Sequence, residues 1–512
     1  KYFIYQSTDN SNFSKLTGNG QQPTTDSLDI DGLTPGTKYY YKVSGVNDDD
    51  DEGPTSPVVS VTPNRLWWVD DVNGNDNYNG KTKKAAFKKV HKILENNNSL
   101  LDGDTVMVMP SVVSGSSDGY YDFAGDRLDI VHSRNFVMIG VAGADSTIFN
   151  AANSNGNQNR HFYLDDGQTS NTVFKGITFK GGKATSSLGG GSIYIGANTD
   201  VKFVDCVWDS NYVSDYSGGG ALSIENSSDA SFVGCTFKNN YADHSTSSAY
   251  GGAIWIRYPG TKAQLNSKIK FEQTKFINNY VKAKFSAYGG AISTYRSADF
   301  INSLFVKNYV ISGTNDQSVN QYTEAVGGAI YSQAEWNNGA GGTAGYDNGT
   351  TRIINSTFHG NYTDFKTNNG TSYAGTILYG RNYYAKPATY IFNTIISGSR
   401  NLKQGSDFTD GGAENRILGS NNQTTDLNTY SSNFVGSADT EWFKKADDTY
   451  DISPVYTDTT KEDYRLSDKS PLIGKGFNAW DDEGIDAPTI DLNGLPRPSP
   501  SGSSVDMGAY EN

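Results

Sequence analysis

Six segments of the chain share one pattern: GITFKGG (176–182), DCVWDSNY (205–212), GCTFKNNY (234–241), QTKFINNY (273–280), NSLFVKNY (302–309) and NSTFHGNY (355–362). Each is followed by a variable stretch and then a glycine pair: GGSI at 190, GGAL at 219, GGAI at 251, 289 and 327, and a weakened AGTI at 374, with a last echo, NTIISGS, at 393–399. The intervals between these pairs are 29, 32, 38, 38 and 47 residues. Such drift excludes an array of helical hairpins of fixed period and suits coils of a few short strands joined by loops of free length. The expected fold is all-β, a right-handed single-stranded parallel β-helix.

The columns of the repeat carry the physics. Phe179, Trp208, Phe237, Phe276, Phe305 and Phe358 occupy one position. Strands of successive coils stack about 4.8 Å apart, so these rings should form an interior ladder. Two residues earlier, on the same face, stand Ile177, Cys206, Cys235, Thr274, Ser303 and Ser356. Parallel side chains rarely suit a disulfide dihedral, so Cys206 and Cys235 read as free, buried thiols. Three residues after the aromatic come Asn211, Asn240, Asn279, Asn308 and Asn361, where Asn tolerates left-handed backbone and can bond along the stack; Gly182 takes the place in the first coil. The glycine pair marks a sharp corner with close backbone approach. It reads as architecture rather than chemistry.

Composition agrees. The chain has 512 residues with 56 Gly and 33 Tyr, only 14 Pro and a net charge of −14. That length exceeds an ordinary single domain unless it grows by repetition. The acidic balance argues against a nucleic-acid partner, and no apolar run approaches the ~20 residues of a transmembrane segment. Residue 1 does not begin a signal peptide, so the sequence reads as a mature form or a segment of something longer.

Residues 1–64 differ from the rest. LTPGTKYYYKV (33–43), an acidic loop and SPVVSVTP read as turn, strand, loop and strand. Leu33, Pro35, Thr37 and Tyr39 match a signature of fibronectin type III domains, and this region resembles the second half of that sandwich. The resemblance implies a tyrosine corner at Tyr39. KYFIYQSTDNSNFSKL would be the third strand and its hairpin, and the natural polypeptide is expected to extend upstream.

Residues 65–104 read as an N-terminal cap: a strand, an Asn/Gly/Asp loop, an amphipathic helix from about Ala85 to Leu94, and a turn into a strand at Thr105–Met109. This arrangement resembles the start of secreted parallel β-helix proteins of the pectate lyase-like superfamily. Coils follow over 105–400. Their GGA[IL] and F-x-x-N repeats resemble the passenger regions of polymorphic outer membrane proteins, which implies an exposed, adhesive role. Residues 401–512 hold the last coils and a C-terminal cap. DYRLSDKSPLIGKG (463–476) and DLNGLPRPSPSGSSVDMGAYE (491–511) resemble the choice-of-anchor Q region of bacterial secreted proteins. That implies anchoring or secretion machinery as a partner and an extracellular, bacterial cell-surface location. Asp491, Arg497, Asp506 and Glu511 match its polar positions and read as a structural charge network.

The sequence requires no cofactor. Ca2+ is the ion it leaves room for, because Asp71, Asn73 and Asn75 have a calcium-loop spacing; no Glu completes an EF-hand, and a solvated cap turn is favoured. Asp165-Asp166 resemble the paired acids of a glycosidase but have no second matching motif, and read as a turn between coils. Arg257 and Arg296 read as solvated strand ends. Tyr212, Tyr241, Tyr280, Tyr309 and Tyr362 follow the Asn column directly and predict an external row. Such a row suits a glycan or a ligand on a host or neighbouring cell, although rings that merely stack on one another and shield the turn are the simpler reading. Two functions follow: a cell-surface adhesin or structural stalk that binds carbohydrate, or a polysaccharide lyase or glycoside hydrolase whose groove is walled by the loops 309–326 and 331–351. No catalytic constellation is legible.

Overall fold

The computed structural model describes the chain except residues 17–29, 31–32, 35, 64, 95–99, 112–120, 123–127, 131–133, 152–159, 185–187, 216–217, 259–268, 314–322, 334, 338–345, 349, 367–370, 374–376, 380–387, 399, 404–416, 419–442, 445–453 and 481–483. The AGTI pair and much of both long loops lie outside the described residues.

The body is a parallel β-helix. One coil shows its plan: Ala230–Val233 lies in sheet 1, Thr236–Lys238 in sheet 2, Tyr241–His244 in sheet 3, Ala249–Tyr250 in sheet 4 and Ile254–Ile256 in sheet 5. Each strand pairs in parallel with its counterpart one coil on. A coil turns its corners with residues in the left-handed region. One such column, between sheets 1 and 2, is Gly176, Asp205, Gly234, Gln273, Asn302, Asn355 and Asn393. The next, between sheets 2 and 3, is Gly181, Ser210, Asn239, Asn278, Lys307 and Gly360. The left-handed residue is therefore the one before each ladder asparagine, a correction to the sequence reading.

The asparagines do something else. Asn279 is fully buried; its Nδ2 donates to Asn308 Oδ1 (3.0 Å) and to the Phe237 carbonyl (2.9 Å), while its Oδ1 accepts from Asn240 Nδ2 (2.9 Å) and Asn240 N–H (3.0 Å). The same set recurs from Asn211 to Asn361. The ladder thus satisfies corner backbone groups that the sheets cannot reach.

Inside the coil the predicted ladder forms, with ring centroids 5.3, 4.4, 5.0, 4.6 and 4.5 Å apart from Phe179 to Phe358. A second interior column stands beside it on sheet 1. Phe174, Phe203, Phe232, Phe271 and Phe300 stack at 4.8–5.4 Å and meet the first column edge-on. Cys206 and Cys235 are free and fully buried, and burial pushes the Cys206 thiol up to about 12. At the glycine pair, Gly251 takes φ +56°, and a Cβ on Gly252 would stand 2.1 Å from the Gly290 carbonyl oxygen. The carbonyl oxygen of Tyr280, in the sheet 3 strand of the next coil, would stand 2.5 Å from the same Cβ, so only glycine fits this corner.

Sheets 3 and 4 form a side lobe with its own small core of Ala242, Val281 and Val310 against Ala249, Ala287 and Ala325. The N-terminal cap departs from expectation. In place of one helix there is a 3-10 turn at Lys83–Ala85 and a single helical turn at His91–Leu94. Between them Phe87 runs extended beside Val69, donating to the Trp68 carbonyl (2.9 Å) and accepting from the Asp70 N–H (2.8 Å). That strand-like pairing holds it out of a helix.

Residues 454–512 pack along the flank of the coils. Gln273 and Asn302 side chains donate to the carbonyls of Asp491 (2.8 Å) and Ile490 (2.7 Å), and Asn393 to that of Phe477 (2.7 Å). Leu304 and Val306, on the outer face of sheet 2, are covered by Leu492, Ala509 and Tyr510. Within this segment Arg497 pairs with Glu511 (3.1 Å), and Asp491 and Asp506 accept backbone N–H groups. At the chain start, Tyr2–Ser7 pairs antiparallel with both Ser14–Lys15 and Tyr39–Val46. The Tyr39 hydroxyl accepts from Thr34 N–H (2.9 Å).

Two outcomes follow. Asn279→Ala leaves the Asn240 N–H and the Phe237 carbonyl without their partner and should cost about 2–4 kcal/mol, read as a lower denaturant midpoint. His161 is fully buried between Ser192 Oγ and the Phe149 carbonyl (both 3.0 Å), and burial lowers its pKa from 6.5 to about 4. The unfolded chain therefore takes up this proton first on acidification. Stability should be full above about pH 6.5 and fall towards pH 4 by on the order of 3 kcal/mol. His161→Gln should flatten that part of a pH series of denaturant midpoints.

Candidate functional site

The tyrosine row begins sheet 3 in five successive coils, each ring pairing in register with the next. Centroids from Tyr212 to Tyr362 are 4.9, 4.9, 4.9 and 4.7 Å apart, with interplanar angles of 3–10°. All five rings are partly exposed. Stacking occupies the ring faces between neighbours, so the row offers solvent its edges and hydroxyls. Burial raises the phenol pKa of Tyr241, Tyr280 and Tyr309, and that of Tyr362 to about 12, so these remain neutral donors at any physiological pH. Polar pairs flank the row: Lys282 with Asp243 (3.7 Å) on one side, Asn278 Nδ2 with Asn239 Oδ1 (2.9 Å) on the other.

The outward side chains of sheet 5 form a second column, buried except at Tyr163, that no sequence pattern announced. It reads Tyr163, Tyr194, Ser223, Trp255, Ser293 and Tyr331. Two residues on, just past the end of each strand, stands a further column, the rim: Asp165, Gly196, Glu225, Arg257, Tyr295 and Gln333. The two columns are tied together. Tyr163 donates to Asp165 (3.2 Å), Tyr331 to Gln333 (2.6 Å), and Arg257 to Glu225 (2.6 Å) while lying 4.7 Å over the Trp255 ring. Tyr250 and Tyr288, from sheet 4, close the angle against Trp255, Tyr295 and Tyr331. Tyr258 is 54% exposed and stacks on Tyr295 at 3.7 Å.

The sequence candidates are distributed as follows. Asp165 and Asp166 are exposed in the turn after sheet 5, as the turn reading expected. Arg257 stays partly exposed, but Arg296 is fully buried. It reaches back two coils to donate to the carbonyls of Asn226 (3.2 Å) and Ser228 (2.8 Å), which corrects its reading as a solvated strand end. In the cap loop, Asp70 accepts from Val72 and Asn73 N–H (3.0 and 2.9 Å), and Asp76 from Lys88 and Lys89 N–H (3.0 and 2.9 Å). Among the described residues no group of three or more His, Cys, Asp or Glu could hold a metal.

No protein-family model matches the chain, and no curated protein matches it. Among solved structures it is similar to a family 28 exopolygalacturonase of Yersinia enterocolitica, at 9% identity over 76% of this chain and 84% of that one, with a TM-score of 0.15. A superposition that loose supports no argument about function.

Proposed function

We propose that the protein is a secreted bacterial cell-surface β-helix that acts as a rigid stalk and adhesive surface and holds carbohydrate along its tyrosine row. In this reading the N-terminal antiparallel sheet belongs to a fibronectin type III module, a reading supported by the bond from Thr34 N–H to the Tyr39 hydroxyl. The C-terminal segment is an anchor-type region held on the flank. The observation that carries the proposal is the row itself: five phenols, one per coil, 4.7–4.9 Å apart. A ruler of equally spaced donors and acceptors fits an extended polymer better than a single sugar, because every coil adds the same contact. Hydroxyl recognition also distinguishes the row from an ordinary aromatic platform, which binds through its faces.

A glycan array tests this. Tyr241→Phe/Tyr280→Phe keeps the stack and removes two hydroxyls, so retained glycans should weaken by roughly tenfold while the denaturant midpoint is unchanged. Undiminished binding in that variant, or no binding by the wild type, defeats the proposal.

Glycan cleavage is the second reading, and one observation favours it. Asp165 and Glu225 stand on one rim column two coils apart, about 9–10 Å along the stack, near the span of an inverting glycosidase pair. Release of reducing ends from a bound glycan, abolished in Glu225→Gln, would establish it. Intact product after prolonged incubation would remove it.

A further inference from the structure

A hairpin of the C-terminal segment, Tyr456–Asp458 paired with Asp463–Leu466, packs on the outer face of sheet 2. The outward column there reads Ile277, Val306, His359 and Ser397, so a histidine stands where the two preceding coils carry aliphatic side chains. Its ring meets Tyr456 edge-on at 5.3 Å and Tyr464 at 5.2 Å. Its Nδ1 lies 2.9 Å from Ser397 Oγ, which in turn lies 2.9 Å from the Tyr456 hydroxyl. The backbone of the next coil closes the remaining side, since a Cβ on Gly398 would stand 3.3 Å from His359 Cε1. One imidazole is therefore wedged between the coils and the hairpin.

Among the described residues no carboxylate steadies a charge on that ring. Tyr456 and Tyr464 are phenols that burial keeps neutral, and Ser397 carries no charge. The hairpin's own acids are turned elsewhere: Asp458 bonds Thr460 N–H and pairs with Lys461, Asp463 pairs with Arg465, and Glu462 is exposed. Burial, and after it the ammonium of Lys307 from the coil before, hold the His359 pKa below its ordinary value.

We infer that His359 makes the seat of this hairpin acid-sensitive: neutral, it completes an uncharged contact between the coils and the C-terminal segment, and protonated it loosens that contact, so that the hairpin lifts while the coils stay folded. Once the hairpin lifts, the imidazole meets water and takes up the proton that the docked form resists. Docking is strongest above about pH 6.5 and weakens as the pH falls below it. A third aliphatic side chain in the column would have held the hairpin equally at any pH. The inference is independent of what the tyrosine row binds, since that row lies on sheet 3.

Hydrogen exchange of the full chain tests this, read as protection factors so that the intrinsic pH dependence of exchange is removed. Between about pH 7 and about pH 4.5 the amides of 456–466 should lose protection by roughly fivefold or more. The loss should persist in His161→Gln, which removes the acid sensitivity of the coils themselves. It should shrink to less than about twofold in His359→Gln, which keeps a polar side chain but cannot charge, and in His359→Val, which copies the neighbouring coil. Should glutamine already strip protection at neutral pH, the valine variant decides. A wild-type hairpin equally protected at both pH values, or a loss of the same size in His359→Val, overturns the inference. Loss of glycan binding in the tyrosine variants leaves these outcomes unchanged, so the two readings stand or fall separately.

Discussion

A coil of this protein cannot satisfy its own backbone. Each strand N–H and C=O must be met by the coil before or after, which sets a spacing of about 4.8 Å and locks every residue over its counterpart. Like therefore falls on like. Apolar and aromatic residues gain from that, and the two interior phenylalanine columns are the result. An amide gains as well, because it donates and accepts, and the buried asparagines bond from coil to coil without a break. Charges lose by it, and where they occupy a column their signs alternate: Asp209 under Lys238 (3.6 Å), Asp243 under Lys282 (3.7 Å), Asp299 under Arg352 (3.9 Å).

This constraint decides what could be read from the sequence. Columns that repeat one residue type were legible, as the interior aromatics, the asparagines and the glycine pairs show. The second interior column was equally regular, since Phe174, Phe203, Phe232, Phe271 and Phe300 each stand five residues before the first. It precedes the corner residue rather than following it, so it lies outside the F-x-x-N pattern that marks each coil. The flank contact also left a signal. The left-handed column changes from Gly176, Asp205 and Gly234 to Gln273, Asn302, Asn355 and Asn393 where the C-terminal segment begins to need donors.

Other features had no such signature. The sheet 5 face alternates Tyr, Ser, Trp, Ser and Tyr, and a column that varies looks in sequence like a position under no constraint. Arg296 was misplaced because its burial comes from carbonyls some 70 residues earlier in the chain, a contact no local pattern announces. The cap failed for a related reason. Residues 85–94 have a helical pattern, yet Phe87 is claimed by the neighbouring strand, and one tertiary pairing outweighs a few tenths of a kcal/mol per residue of propensity.

The two outer faces solve opposite problems with the same geometry. Down the tyrosine row each ring satisfies the next, so the surface is complete before any ligand arrives and can contact one only through hydroxyls at its edge. On sheet 5 the alternation leaves Ser223 Oγ, Trp255 Nε1 and Ser293 Oγ buried without hydrogen-bond partners among the described residues, as the indole N–H of Trp208 is inside the aromatic ladder. Replacing Ser223 and Ser293 by the alanine that already occupies the inward Ala221 and Ala291 positions would have removed the conflict at no cost in volume. The chain instead carries hydroxyls there, one coil on either side of an indole N–H, so this column spends hydrogen-bonding capacity that the tyrosine row and the asparagine ladder put to use.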